Sequence, residues 1–298
     1  MKIAIISPAS IVKPEYIDGA VEYLRSRGLD PVVGRHAKGP ADGSFAAGVE
    51  QRVADLREAL YDPEVGAILC ARGGYGCIHL LPYFSIEEVA SHPKWLIGFS
   101  DVSALHALWH AAGIPSIHGP MAKHLATSAP DDFFSASLLR ILLHGGKFDF
   151  STRAHAFDRH GIGRGILRGG NLAVLNSLAS TPFDMLNVGE DEDVILFFED
   201  IAEKIYAVER MLSRLCMTGV FHRVRGLIFG RFTDYGTDRN HSSMEEMIHK
   251  LLIAGNIRNI PVVFDFPVGH VAANYPLPEG LPVELEANSR FRRLRSIV

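Results

Sequence analysis

The chain has 298 residues, 47% of them hydrophobic, and a formal net charge of −4. Such a composition supplies one large core or two of ordinary size and excludes a disordered chain. The mild acidity and lack of a long basic run argue against nucleic acid or an anionic membrane as partner, and no apolar stretch reaches the about 18 residues of a membrane span.

In chain order, "MKIAIISPAS" is too short an apolar run for a signal peptide and reads as a first strand. "PEYIDGAVEYLRSRG" puts Ile17, Val21 and Leu24 on one helical face, and "VEQRVADLREALYD" repeats Val49, Val53, Leu56 and Leu60 with the helical period. "VGAILCA" and "KWLIGF" read as buried strands, "VSALHALWHAAG" as a helix capped by Gly113, "IPSIHGP" as a strand and "DDFFSASLLRILLHGG" as a helix. This alternation implies a mostly parallel sheet covered on both faces. The polar, glycine-bearing text of 146–164 reads as a linker or strand pair between domains spanning 1–145 and 165–298. Beyond it, "DVILFFED" and "VRGLIFGRF" are strands. "EKIYAVERMLSRLCMTG" is a helix with Ile205, Val208, Met211, Leu212 and Leu215 inward, and "MEEMIHKLLIAG" is another. "PVVFDFPVGH" runs from strand to loop, and "LPVELEANSRFRRLRSIV" is a hairpin turning near Asn288 and Ser289. Its basic cluster reads as a solvated strand end. The three cysteines, Cys70, Cys77 and Cys216, form no framework and read as reduced thiols of the cytosol.

Four segments carry candidate chemistry. Ser100 stands where a strand passes directly into a helix, a turn that exposes a hydroxyl beside free backbone N–H groups at the carboxyl end of a sheet. The local text Gly98-Phe99-Ser100-Asp101-Val102 departs from the nucleophile elbow G-x-S-x-G at its last glycine. A plain helix-capping serine is the rival reading. In "CARGGYG", Gly73 and Gly74 let the backbone approach a ligand and present N–H groups, without the lysine of a P-loop or the spacing of a dinucleotide fingerprint. Glu199 and Asp200 end a buried apolar strand, where an acid needs a partner. His270 follows a glycine in a loop. Together these supply nucleophile, acid and base in the order Ser, Glu, His. Metal readings are weaker: His106 and His110 share a helix face but Ala107 stands where H-E-x-x-H needs glutamate, and no spacing joins His118, Asp265 and His270.

"SPAS", "ARGGYG", "LIGFSDVSALH", "GGNLAVLNSLASTP", "LFFEDIAEKIYAVERML" and "FPVGH", in this order, resemble the LD-carboxypeptidase family, to which microcin-immunity peptidases are related. The resemblance spans about residues 3 to 287. It implies an α/β fold: an N-terminal flavodoxin-like parallel sheet, as in class I glutamine amidotransferases, and a smaller C-terminal α/β domain. It also implies a serine peptidase with Ser100 as nucleophile, Glu199 as acid and His270 as base, the site forming between the domains. Oxyanion donors fall on the backbone N–H of Asp101 and of Gly73 or Gly74. Arg72, Tyr75 and Asn171 are further candidates for substrate contact. The implied substrate is a murein tetrapeptide or muropeptide, cut before its terminal D-alanine in the cytoplasm, with no metal or other cofactor, no nucleic-acid or membrane partner, and a homodimeric assembly. Two rivals stand beside it. One is a microcin-immunity type peptidase cleaving acyl-sulfamoyl adenylates, for which the chain is short of extra loop sequence. The other is a non-catalytic binding protein using "RGGYG" as an anion loop.

Overall fold

Short apolar runs bounded by turn residues become the strands. They are β1 (Lys2–Ile6), β2 (Asp30–Val33), β3 (Val65–Cys70), β4 (Trp95–Gly98), β5 (Ser116–His118), β6 (Asp149–Arg153) and β7 (Gly161–Asn171). They continue with β8 (Val194–Ile201), β9 (Gly226–Thr233), β10 (Val262–Val263), β11 (Leu277–Glu279), β12 (Pro282–Ala287) and β13 (Phe291–Ser296). The computed structural model describes residues 1–297. It divides into two units, Met1–Leu143 with Tyr275–Pro278, and His144–Asn274 with Glu279–Val298. No described helix is long and apolar enough to cross a membrane.

The first unit is built on a six-stranded sheet in the order β11-β5-β4-β3-β1-β2. β2, β1, β3, β4 and β5 run parallel to their neighbours. Parallel strands need crossovers, and helices at Pro14–Ser26, Val49–Tyr61 and Ser103–Ala111 supply them. Val53, Leu56 and Leu60 are buried as their period requires, while the helix Ser103–Ala111 is buried on nearly every side. Gly113 adopts φ 71° just past that helix, the left-handed geometry of a helix end.

The second unit carries a seven-stranded mixed sheet, β10-β9-β8-β7-β12-β13-β6. Its centre is parallel, β7 with β8, β8 with β9 and β9 with β10. The β12–β13 hairpin joins it antiparallel, closed by the Asn288 N–H to Phe291 O bond at 2.9 Å. The text of 146–164 holds β6 and the start of β7, both bonded into this sheet. The helix Ile205–Met217 buries Ile205, Val208, Leu212 and Leu215, with Met211 half-buried. The C-terminal arginines are a strand of ion pairs, Arg295 with Glu284 and Arg293 with Asp149.

Candidate active site

In the first unit, β4 ends at Gly98 and the chain turns at once into a 3-10 turn, Ser100–Val102, that opens the helix Ser103–Ala111. Gly98 leaves room for this turn, since a Cβ there would stand 2.9 Å from Val102 Cγ1. Ser100 takes φ 66°, a left-handed conformation that costs an L-residue about 1–2 kcal/mol. Strain at a single half-buried turn serine is the mark of a functional position more than of a cap. Indeed Ser100 begins the 3-10 turn, and no side-chain cap is made by Phe99 or Val102, the residues at the N-caps of the turn and helix.

The "RGGYG" loop follows β3 and lies against this turn. Gly73 faces the serine: a Cβ on it would be 2.9 Å from Ser100 Cβ and 3.1 Å from Ser100 Oγ. Gly74, at φ +116°, faces instead the Ser10 side chain of "SPAS", whose hydroxyl accepts the Tyr75 N–H at 3.1 Å. The two glycines therefore have separate neighbours. Asp101 joins loop and turn: its buried carboxylate accepts the Cys77 N–H at 2.8 Å, and burial raises its pKa. Arg52, buried on the helix Val49–Tyr61, donates to Pro8 O, Ala47 O and Gly76 O, fastening the same loop from below. Behind the nucleophile turn, His106 is fully buried between Gly98 O at 2.9 Å and Ser116 Oγ at 2.7 Å. Gly98 O only accepts, so Nε2 carries the proton. Burial lowers the His106 pKa to about 3, so the ring stays neutral.

In the second unit, β8 runs Phe197-Phe198-Glu199-Asp200 through a core that includes Phe221 and Phe229. The β8–β9 ladder slips between Phe198 and Asp200, a local bulge at the acid. The Glu199 side chain is wholly buried, and His270 Nδ1 lies 2.8 Å from Glu199 Oε2. A carboxylate only accepts, so Nδ1 carries the ring proton and Nε2 is left as the basic nitrogen. Gly269 makes the approach possible. It adopts φ +120°, and a Cβ there would be 2.8 Å from both Glu199 Cβ and Oε2. Its N–H is held by Asn274 Oδ1 at 2.9 Å.

The remaining candidates divide. Arg72 and Tyr75 are exposed; Arg72 Nη1 donates to Ile11 O at 3.1 Å, and Tyr75 packs with Phe45 and His79. Asn171 is buried, faces Glu199 in register across β7 and β8, accepts the Val174 N–H and donates to Asp200. Asp200 also accepts the Ala173 and Ile201 N–H groups, and burial, reinforced by the Glu199 charge, pushes its pKa up to about 7. Arg52 and the carboxylate of Asp101 escaped the sequence reading. Asp200 was marked there only as a second acid needing a partner, and His106 only as a weak metal candidate.

Family models match the LD-carboxypeptidase N-terminal domain at residues 3–119 and the LD-carboxypeptidase C-terminal domain at 164–285. The chain is 32% identical to a murein tetrapeptide carboxypeptidase of Pseudomonas aeruginosa over 96% of its length and 94% of that protein. It is 24% identical to the microcin C7 self-immunity protein of Escherichia coli, over 95% of this chain and 89% of that one. A muramoyltetrapeptide carboxypeptidase from Oxalobacter formigenes shares its fold at TM-score 0.87 and 28% identity, covering 99% of this chain and 98% of that one.

Proposed function

The chain belongs to the LD-carboxypeptidase family, and on that premise we propose that it is a serine carboxypeptidase releasing the terminal D-alanine of murein tetrapeptides, with Ser100, Glu199 and His270 as its triad. The observation that carries this reading is the His270–Glu199 pair at 2.8 Å. A fully buried carboxylate that fixes one imidazole tautomer is what a general base needs.

In this reading His270 Nε2 takes the hydroxyl proton as Ser100 Oγ attacks the carbonyl before D-alanine. The amide electrons move onto oxygen, where the backbone N–H groups of Asp101 and the glycine loop stabilise the oxyanion. Gly73 is the preferred loop donor because it borders Ser100, whereas Gly74 borders Ser10. The imidazolium returns its proton to the leaving amine, the C–N bond breaks, and water then releases the acyl group from Ser100. Glu199 stabilises the imidazolium at each stage. The reaction belongs to cytoplasmic recycling of wall peptides; the free thiols Cys70, Cys77 and Cys216 accord with a reducing compartment. Family resemblance supports a homodimer, which light scattering checks.

The test is mass-spectrometric detection of D-alanine release from a defined murein tetrapeptide. Wild type should release it, and Ser100→Ala should not while melting as a folded protein. Release by Ser100→Ala removes the nucleophile assignment. Turnover of a processed microcin but not of tetrapeptide replaces the substrate.

A further inference from the structure

Cations in this protein are commonly met by carboxylates. Arg164, Arg168, Arg225, Arg231, Arg293 and Arg295 each have an acid within ion-pair distance. Some other cations have no carboxylate within that distance among the described residues, and three of these meet at one place in the first unit. Lys13, Arg72 and Lys123 line a single cleft of about 430 Å³, together with Ile11 and Tyr16. None of the three has a carboxylate partner among the described residues, although all are exposed. Three like charges around one cleft repel one another, so the arrangement is unfavourable until an anion enters.

The cleft is tied to the nucleophile loop by backbone. Arg72 immediately precedes Gly73, whose hydrogens face Ser100. Arg72 Nη1 is held by Ile11 O at 3.1 Å, which leaves the rest of its guanidinium fork for a ligand. The Lys123 N–H donates to Ala71 O at 3.2 Å, fixing that residue beside the same loop. Exposed Ile11 and the Tyr16 ring add apolar surface beside the charges. A ligand matching these walls has carboxylates spaced along a short aliphatic chain.

We propose that the cleft formed by Lys13, Arg72 and Lys123 binds the carboxylates of an acidic peptide substrate and so selects for acidic peptides at the Ser100 loop. This rests on the peptidase reading and deepens it by naming the side chains that read the peptide's carboxylates. Binding makes no covalent change: the lysines and the arginine donate hydrogen bonds to carboxylates, displacing water and counterions.

The experiment measures binding to the full chain carrying Ser100→Ala, so that no turnover intervenes. The probes are murein tetrapeptide as the free acid and the same peptide with its carboxyl groups converted to carboxamides. Adding Lys13→Gln and Lys123→Gln together should weaken free-acid binding by about tenfold or more and leave the carboxamide form within about twofold. In the Ser100-bearing chain the same pair should raise KM with kcat retained. The proposal is overturned by equal weakening of both probes, by no weakening, by lack of free-acid binding, or by inorganic phosphate displacing the peptide at comparable concentration. Failure of the peptidase reading looks different: no D-alanine release from wild type, with charge-selective binding intact.

Discussion

Gly73→Ala is the sharpest probe of the nucleophile loop. The added methyl keeps the backbone N–H, so any loss comes from crowding and not from a missing oxyanion donor. Its carbon would lie 2.9 Å from Ser100 Cβ, 3.1 Å from Ser100 Oγ and 3.2 Å from Phe99 O. Ordinary contacts begin near 3.4 Å, so the neighbours must yield by about half an ångström. Phe99 is buried and His106 fixes the Gly98 carbonyl, leaving the Ser100 hydroxyl as the part that moves. Overpacking of this kind costs about 1–3 kcal/mol of stability. A displaced nucleophile loses about 10²-fold in rate, near 2.7 kcal/mol of barrier. The expected result is a fall of about 10²-fold in kcat for D-alanine release, with slower fluorophosphonate labelling of Ser100 and a melting temperature lowered by only a few degrees. Gly74→Ala is the control. Its Cβ meets Ser10 from a backbone at φ +116°, so its activity loss should come with a larger loss of stability. Full kcat and labelling in Gly73→Ala would refute the argument that this glycine exists to admit the nucleophile.

Ser100→Gly relieves the φ 66° strain that Ser100→Ala retains, so the inactive glycine variant should be about 0.5–1 kcal/mol more stable than the inactive alanine one; denaturant midpoints in the reverse order would contradict the strain. Asp200 stays protonated in the native state up to about pH 7, while the unfolded chain ionises it near the ordinary aspartate value of 3.8. Stability from this group is therefore present below the unfolded value and lost as pH rises through that window. The advantage of wild type over Asp200→Asn should shrink by up to a few kcal/mol from pH 4 to pH 7.5, and a constant difference in melting would count against it. His106 has the opposite sign: the native ring stays neutral down to about pH 3, so stability is lost as pH falls from the unfolded value of 6.5. His106→Gln, less stable at pH 8, should lose less on acidification to pH 4, and parallel curves would exclude the buried ring as the cause.

Why some of this was legible and some not follows from what each residue answers to. The elements of the first unit were readable because burial imposes a period: Val53, Leu56 and Leu60 lie inward on a helix for a reason visible in their spacing. Ser100, Glu199 and His270 stood out because each sits where apolar text stops, and a polar group there needs a purpose. β2 escaped because Asp30–Val33 is short and mostly exposed, and β11 because Leu277–Glu279 is a three-residue edge strand that returns to the first sheet from far along the chain. The supports of the site were hidden for another reason. Arg52 and the Asp101 carboxylate are buried charges whose partners are backbone groups, Gly76 O and the Cys77 N–H. A backbone partner leaves no trace in the sequence, because every residue type offers the same carbonyl and nearly every one the same N–H. The glycines show the converse. Gly73 and Gly269 matter through the atoms they lack, one beside Ser100 and one beside Glu199; sequence marked Gly73 for close approach, and Gly269 only as the residue before His270. A site whose reactive groups are approached this closely by glycine can be found from its text, while the groups that hold it rigid emerge only when the fold is in hand.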